Sequence, residues 1–148
     1  MSVGIDRMAG YRRALADRGL PHDASLEQTS DFTQEGGAIA MRRILDVRPD
    51  VDGIFAASDL LAAGALQVLR TAGRVVPDDV AVVGFDDSSI ATASEPTLTS
   101  VRQPSEEMGR EMVRLLVEAM SSSRPIAKRV LLGTELVVRE SSGRVARG

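Results

Sequence analysis

Residues 53–85 constrain the fold more than any other stretch of the chain. Gly53-Ile-Phe-Ala-Ala57 is a short apolar run, residues 59–72 carry a helical pattern closed by Gly73, and Val80-Ala-Val-Val-Gly-Phe85 is a second apolar run. Runs that are apolar throughout, rather than alternating with polar residues, are the mark of strands covered on both faces, as in parallel sheets. A helix of this length between two such runs suits a right-handed parallel crossover. The expected nucleus is a strand, a helix and a second strand, with the two strands buried and adjacent.

The flanking segments continue the alternation. Apolar or small residues at 8, 11, 14 and 15, with Asp6 as N-cap and Gly19 then Pro21 as stop, predict a helix over 7–18. Thr33 starts the next helix, with Ala40, Met41, Ile44 and Leu45 at helical spacing. It ends at Arg48-Pro49, because the residue before a proline is pushed out of the helical region. A short extended piece fits at 26–29. After Phe85 a polar loop runs to Thr97, and a second extended piece covers 98–103. Pro104 and Ser105 open a helix with Met108, Met112, Leu115, Leu116 and Met120 on one side, which stops at the serines and proline of 121–125. A last strand is expected over 130–138, followed by a frayed tail from 140 to 148. The class is α/β, a mostly parallel sheet flanked by helices.

Composition bounds what such a domain does. With 148 residues, 43% of them hydrophobic, the chain is long enough for one substantial core. Its 21 acidic against 18 basic side chains supply no summed positive field, so it is not expected to hold DNA by itself. Zero cysteines and a single histidine exclude a disulfide framework, thiolate metal sites and multi-histidine metal sites, and fit a reducing cytoplasm. No metal or cofactor is expected. No stretch approaches the ~20 apolar residues needed to cross a bilayer, and residues 1–6 do not read as an export signal.

In open α/β sheets, ligands collect beyond the carboxyl ends of parallel strands. That rule selects Ser58-Asp59 after the first apolar run and Asp86-Asp87 after the second, expected within ~5–10 Å of each other if the strands are neighbours. Asp59 opens a helix and reads first as a cap, with ligand contact as the alternative. Asp86 reads as a ligand contact or, with Asp87, Ser88 and Ser89, as turn chemistry. His22 reads as a solvated loop residue, and the Met108, Met112 and Leu116 stripe as core or interface. Gly36-Gly37 and Gly64 read as close-packing positions, since no phosphate-cradling glycine motif is present. Catalysis finds little support, because no serine sits in a G-x-S-x-G turn and His22 is far along the chain from every strand-ending serine. A paired-carboxylate hydrolase would need two acids of separated pKa, and a phospho-accepting site at Asp86 and Asp87 would need further acids after another strand and a strand-end lysine, whereas Lys128 precedes a strand. No catalytic residue is assigned.

Several segments, in order and at natural spacing, then resemble one family. They are Arg7-Met-Ala-Gly-Tyr11, Asp31-Phe-Thr33, Ile54-Phe-Ala-Ala-Ser-Asp59 with Ala62-Ala-Gly-Ala65, Val76-Pro-Asp-Asp-Val-Ala-Val-Val-Gly-Phe-Asp-Asp87, Leu98-Thr-Ser-Val-Arg-Gln103 and Thr134-Glu-Leu-Val-Val-Arg-Glu-Ser141. Together they are similar to the LacI/GalR family of bacterial transcription regulators. The resemblance implies a periplasmic-binding-protein-like type I sensor of two lobes, homodimeric and cytoplasmic, with a sugar-like effector in the cleft between them. Carried over by residue, the effector contacts fall on Arg7, Phe32, Ser58, Asp86 and Gln103, with Ser58 standing where the family commonly has Asn. The same resemblance implies an incomplete domain. Residues 1–103 and 130–148 would be mainly the C-terminal lobe, and 104–129 a helix and connection belonging to the N-terminal lobe. The strand expected before the first helix and the helix-turn-helix that grips DNA would both lie outside these residues, as in a truncated or misassigned gene product. The Met/Leu face of 104–120 would then lack its usual partner or be hidden by self-association. A solute-binding protein feeding a transporter is the alternative that shares the fold; it would require an export signal.

Overall fold

The computed structural model describes residues 3–121 and 127–143. Among these residues are five α-helices, α1 (Val3–Asp17), α2 (Gln34–Val47), α3 (Asp59–Thr71), α4 (Ser89–Ala93) and α5 (Ser105–Ser121), and, alternating with them from α2 onward, four strands, β1 (Gly53–Phe55), β2 (Ala81–Asp86), β3 (Thr99–Arg102) and β4 (Glu135–Val137). The strands form one sheet in the order β1-β2-β3-β4, the first three parallel and β4 antiparallel to β3. This is the mostly parallel α/β sheet expected from residues 53–85.

The local start and stop signals act as read. The Thr33 hydroxyl accepts from the Gly36 amide at 2.9 Å and caps α2, which ends at Arg48, just before Pro49. Gly19 and Gly73 take positive φ (64° and 71°). In each case the glycine amide and the one after it bond back into the last helical turn, Leu20 to Leu15 at 3.0 Å and Arg74 to Leu69 at 2.9 Å, which is the Schellman ending. Helix α1 begins earlier than the pattern suggested, at Val3, so Asp6 lies inside its first turn and is not its N-cap. A carboxylate there still favours the positive end of the helix dipole.

The core lies between the sheet and the α2/α3 pair, and includes Met41, Leu69, Val80, Val82 and Leu98. Helices α2 and α3 cross at backbone contact. A Cβ on Gly37 would run into the Leu61 backbone, and one on Gly64 into the Gln34 carbonyl and the Ala38 amide. These are the close-packing glycines expected from the sequence. At the other end of α1, Glu27 accepts from Arg12 Nε at 2.7 Å and pairs with His22 at 2.8 Å. The Arg12 guanidinium, with His22 beside it, draws the Glu27 carboxyl down to about 2.

Four expectations are corrected. Burial along β2 alternates, with Val80, Val82 and Gly84 inside and Ala81, Val83 and Phe85 partly exposed, and β1 is an edge strand with Gly53 and Phe55 exposed. An apolar run thus overstated coverage, because the second face of the sheet is only partly covered. The extended piece expected over 26–29 begins later, because a 3-10 turn, Ala24–Leu26, takes Leu26, and the extended Glu27 after it joins no sheet. The strand expected over 130–138 shrinks to Glu135–Val137. The tail does not fray at its start: a 3-10 turn, Glu140–Ser142, buries Ser141, whose hydroxyl donates to the Val82 carbonyl at 2.6 Å and accepts from the Thr99 amide at 2.8 Å. The expected helix stop at 122–125 and the tail end at 144–148 lie outside the described residues.

The Met/Leu stripe of α5 is not core. No residue of this helix is buried, and Met112, Leu116 and Met120 are 64%, 60% and 78% exposed.

Substituting Gly64→Ala should destabilise the chain by about 2 kcal/mol or more, since the methyl has only backbone to displace. Urea unfolding followed by far-ultraviolet circular dichroism checks this; an unchanged midpoint would show that α2 and α3 separate freely.

Candidate functional site

Parallel pairing brings the ends of β1 and β2 together. Phe55 pairs with Val83; β1 ends there and leads through Ala56 and Ala57 to Ser58, while β2 runs on to Asp86. Asp86 also pairs with Arg102 on β3.

The carboxylate of Asp86 is gripped on one oxygen only. Its Oδ1 accepts from Gln103 Nε2 at 2.6 Å and from Arg7 Nη2 at 3.4 Å, while its Oδ2 accepts no hydrogen bond among the described residues. The side chain is 37% exposed. Arg7, on α1, is mostly buried and bridges the two strand ends, because its Nη1 donates to the Ala57 carbonyl beyond β1. Its guanidinium carbon also lies over the Phe85 ring, 3.7 Å from the centroid, a cation–π contact in a partly desolvated setting. Three residues expected at the site, Arg7, Asp86 and Gln103, therefore form one cluster at the carboxyl end of the sheet.

The other two are placed differently. Ser58 caps α3, its hydroxyl accepting from the Leu61 amide at 3.3 Å, and it is 5% exposed; the cap takes one lone pair and leaves the O–H as a donor. Phe32 is 45% exposed and stands on the far wall of a cavity of about 650 Å³ that runs along the free edge of β1 and also touches Arg7 and Ala57. Neither Asp86 nor Gln103 lines that cavity.

The loop that presents Asp86 is strained and pinned. Asp86 and Asp87 both have positive φ, 106° and 51°. The left-handed region is tolerable for aspartate, but φ 106° lies outside it and costs about 1–3 kcal/mol unless the surroundings hold it. Asp87 supplies one hold: its carboxylate takes Arg102 Nε at 2.7 Å and Arg139 Nη2 at 2.6 Å. Burial works against its charge, but the two guanidinium groups outweigh it and keep the carboxyl below its ordinary value.

Asp59 was read as a cap and is not one. Ser58 is the cap, and the buried Asp59 carboxylate reaches instead to the loop after β2 and to β3, accepting from Ser88 and Ser100. Sequence reasoning also missed Phe85 as the seat for Arg7, and Ser100 and Arg139 as loop supports. Only the polar residues Ser100 and Arg139 next to apolar strand positions hinted at this. Among the described residues no group of acids, histidines or cysteines could hold a metal ion, and no helix is long and apolar enough to cross a membrane.

Comparison with known proteins decides the family. Residues 2–142 match the model of the periplasmic binding protein-like domain. The chain belongs to this family. It is 52% identical over 141 residues to the HTH-type transcriptional regulator CelR of Thermobifida fusca, covering 95% of this chain and 42% of that protein. A solved CelR–cellobiose complex superposes with a TM-score of 0.90 at 52% identity, over 94% of this chain and 42% of that one. A sugar-binding transcriptional regulator of the LacI family from Escherichia coli, complexed with phosphate, superposes with a TM-score of 0.82 at 31% identity, over 93% and 49%. The chain thus spans about two fifths of the length of the curated relatives it matches. The resemblance to LacI-type regulators is shown by these relatives, which are named as transcription regulators.

The ion pairs of Asp87 predict acid sensitivity of a definite sign. A carboxyl held below its ordinary value stabilises the fold at higher pH, and that contribution is lost as pH falls from about its ordinary value of 3.8 through its folded value. The thermal midpoint of the wild type should therefore drop on acidification below pH ~4. Asp87→Asn should start lower and fall less steeply. Equal slopes in the two proteins, by differential scanning fluorimetry, would show that Asp87 contributes nothing to acid unfolding.

Proposed function

We propose that this chain is the effector-sensing part of a LacI-type regulator of transcription, taking a sugar or sugar-like small molecule at Arg7, Phe32, Ser58, Asp86 and Gln103. The observation that carries this reading is the half-engaged carboxylate. Arg7 and Gln103 hold Asp86 by one oxygen and leave the other free, at the carboxyl end of parallel strands where polar ligands bind. An ionised carboxylate with one oxygen fixed is a rigid acceptor for ligand hydroxyls, and the unused Arg7 N–H groups are donors beside it. Phe32 offers an apolar face for a sugar ring across the neighbouring cavity. The CelR–cellobiose complex, the relative with 52% identity, makes a disaccharide the first ligand to test.

In this reading residues 1–103 and 130–148 are mainly one lobe of the sensor. Residues 104–129 belong to the other lobe, whose remainder, or a second copy, covers the exposed face of α5. The effector acts by closing the two lobes and shifting a two-state equilibrium, without chemistry on the ligand. DNA contact is assigned to a helix-turn-helix outside these residues, in keeping with the net charge of −3, and the working compartment to the cytoplasm. The solute-binding reading shares the fold but finds no support among the regulator relatives.

With one wall of the cleft, affinity for cellobiose should be weak, with a Kd of about 1 mM. Titration followed by ¹H–¹⁵N NMR should move the amides of residues 86–88 and the Gln103 side-chain amide. Asp86→Ala should weaken binding by at least about tenfold, as the loss of a charged hydrogen-bonding partner does. Shifts confined to residues remote from Asp86, or none with any sugar tried, would overturn the reading.

A further inference from the structure

The geometry points to Asp59 as the positioning residue of this site, a buried carboxylate that fixes the backbone of the Asp86 loop without meeting the ligand. Asp59 is 1% exposed, at the first turn of α3. A carboxylate at that place ordinarily serves the amides of its own helix. Here three donors from outside α3 take both of its oxygens. Oδ2 accepts from the Ser88 amide at 2.7 Å and the Ser88 hydroxyl at 2.9 Å, and Oδ1 accepts from the Ser100 hydroxyl at 2.6 Å. The Ser100 oxygen in turn accepts from the Asp87 amide at 3.0 Å.

The two peptide N–H groups that follow Asp86, those of Asp87 and Ser88, therefore both end on Asp59, one directly and one through a single hydroxyl. The relay has a fixed polarity. A backbone amide only donates, so the Ser100 oxygen must receive from Asp87 and pass its own proton to an acceptor, and an ionised carboxylate is a pure acceptor. Ser100 is fully buried, so water does not substitute for it. Gly84 completes the arrangement: a Cβ there would stand 2.5 Å from Asp59 Oδ1 and 2.8 Å from Leu98 Cδ2, so the path of the carboxylate past β2 requires a residue without one. With its following amides tethered this way, Asp86 keeps φ at 106° and points its carboxylate at Arg7 and Gln103. The binding consequence rests on the reading of Asp86 as a ligand contact; the tethering of the loop does not.

The test compares Asp59→Asn and Ser100→Ala with wild type in two measurements. Asn keeps the shape of Asp59 but replaces one acceptor oxygen by a donor, and Ala at 100 removes only the relay hydroxyl. In amide hydrogen exchange by NMR, the Asp87 and Ser88 amides should exchange at least about tenfold faster in Asp59→Asn, and the Asp87 amide likewise in Ser100→Ala, while Val82 and Leu69 keep their wild-type rates. In the cellobiose titration both variants should bind at least about fivefold more weakly than wild type, although neither residue reaches the ligand. Should Asp59→Asn fail to fold, Ser100→Ala alone decides. Wild-type exchange at Asp87 in that variant overturns the inference. Faster exchange with unchanged cellobiose affinity overturns the positioning role and leaves a structural one. If wild type itself binds no sugar, the functional reading fails while the exchange rates still decide whether Asp59 tethers the loop.

Discussion

Helices α2 and α3 meet backbone to backbone at Gly37 and Gly64, and the arrangement at the carboxyl end of the sheet follows from that contact. Because neither glycine carries a side chain, α3 packs closely on α2 and its first turn sits beside the loop that leaves β2. Only from there does Asp59 reach Ser88 and Ser100. A larger residue at either crossing position would meet only the backbone of the facing helix. The close crossing and the reach of Asp59 share the first turn of α3, since Gly37 meets Leu61 two residues after Asp59.

The electrostatics of the loop divide along its two aspartates. Asp87 turns inward to Arg102 and Arg139 and ties β2 to β3 and to the segment after β4. Asp86 turns outward with one oxygen unused. Neighbouring residues with the same side chain are separated into a structural and an exposed role by backbone geometry, since both positive φ values rotate the peptide units between them. The positive charge on each side, Arg7 at Asp86 and Arg102 with Arg139 at Asp87, keeps the two carboxylates from being left as an unscreened like-charge pair.

Elements whose signals are local were legible in the sequence. Thr33, Gly19 and Gly73 act within one helical turn, and the strand-helix-strand unit was marked by its own apolar runs. What failed depended on partners far along the chain. Whether Val83 or Phe55 is covered is decided by which layers lie above the sheet, not by the apolar run itself, and the anchoring of Ser141 depends on Val82 and Thr99, some 59 and 42 residues away. The site shows the same division. Asp86 was found because a strand end is a sequence-readable place, and Arg7 and Gln103 came in through family resemblance. The stacking of Arg7 on Phe85 and the bonds of Asp59 join residues 29 to 78 positions apart, and no spacing rule links such pairs.

The backbone at Asp86 sets stability against responsiveness within a single residue. At φ 106° a glycine would be the relaxed choice, and it would delete the carboxylate. The acid at this position therefore carries a backbone cost that the rest of the fold must offset. Few side chains tolerate this conformation, which leaves little room for retuning recognition at Asp86 itself. On the proposed reading, ligand preference would be retuned more readily at Phe32, whose backbone has no positive φ.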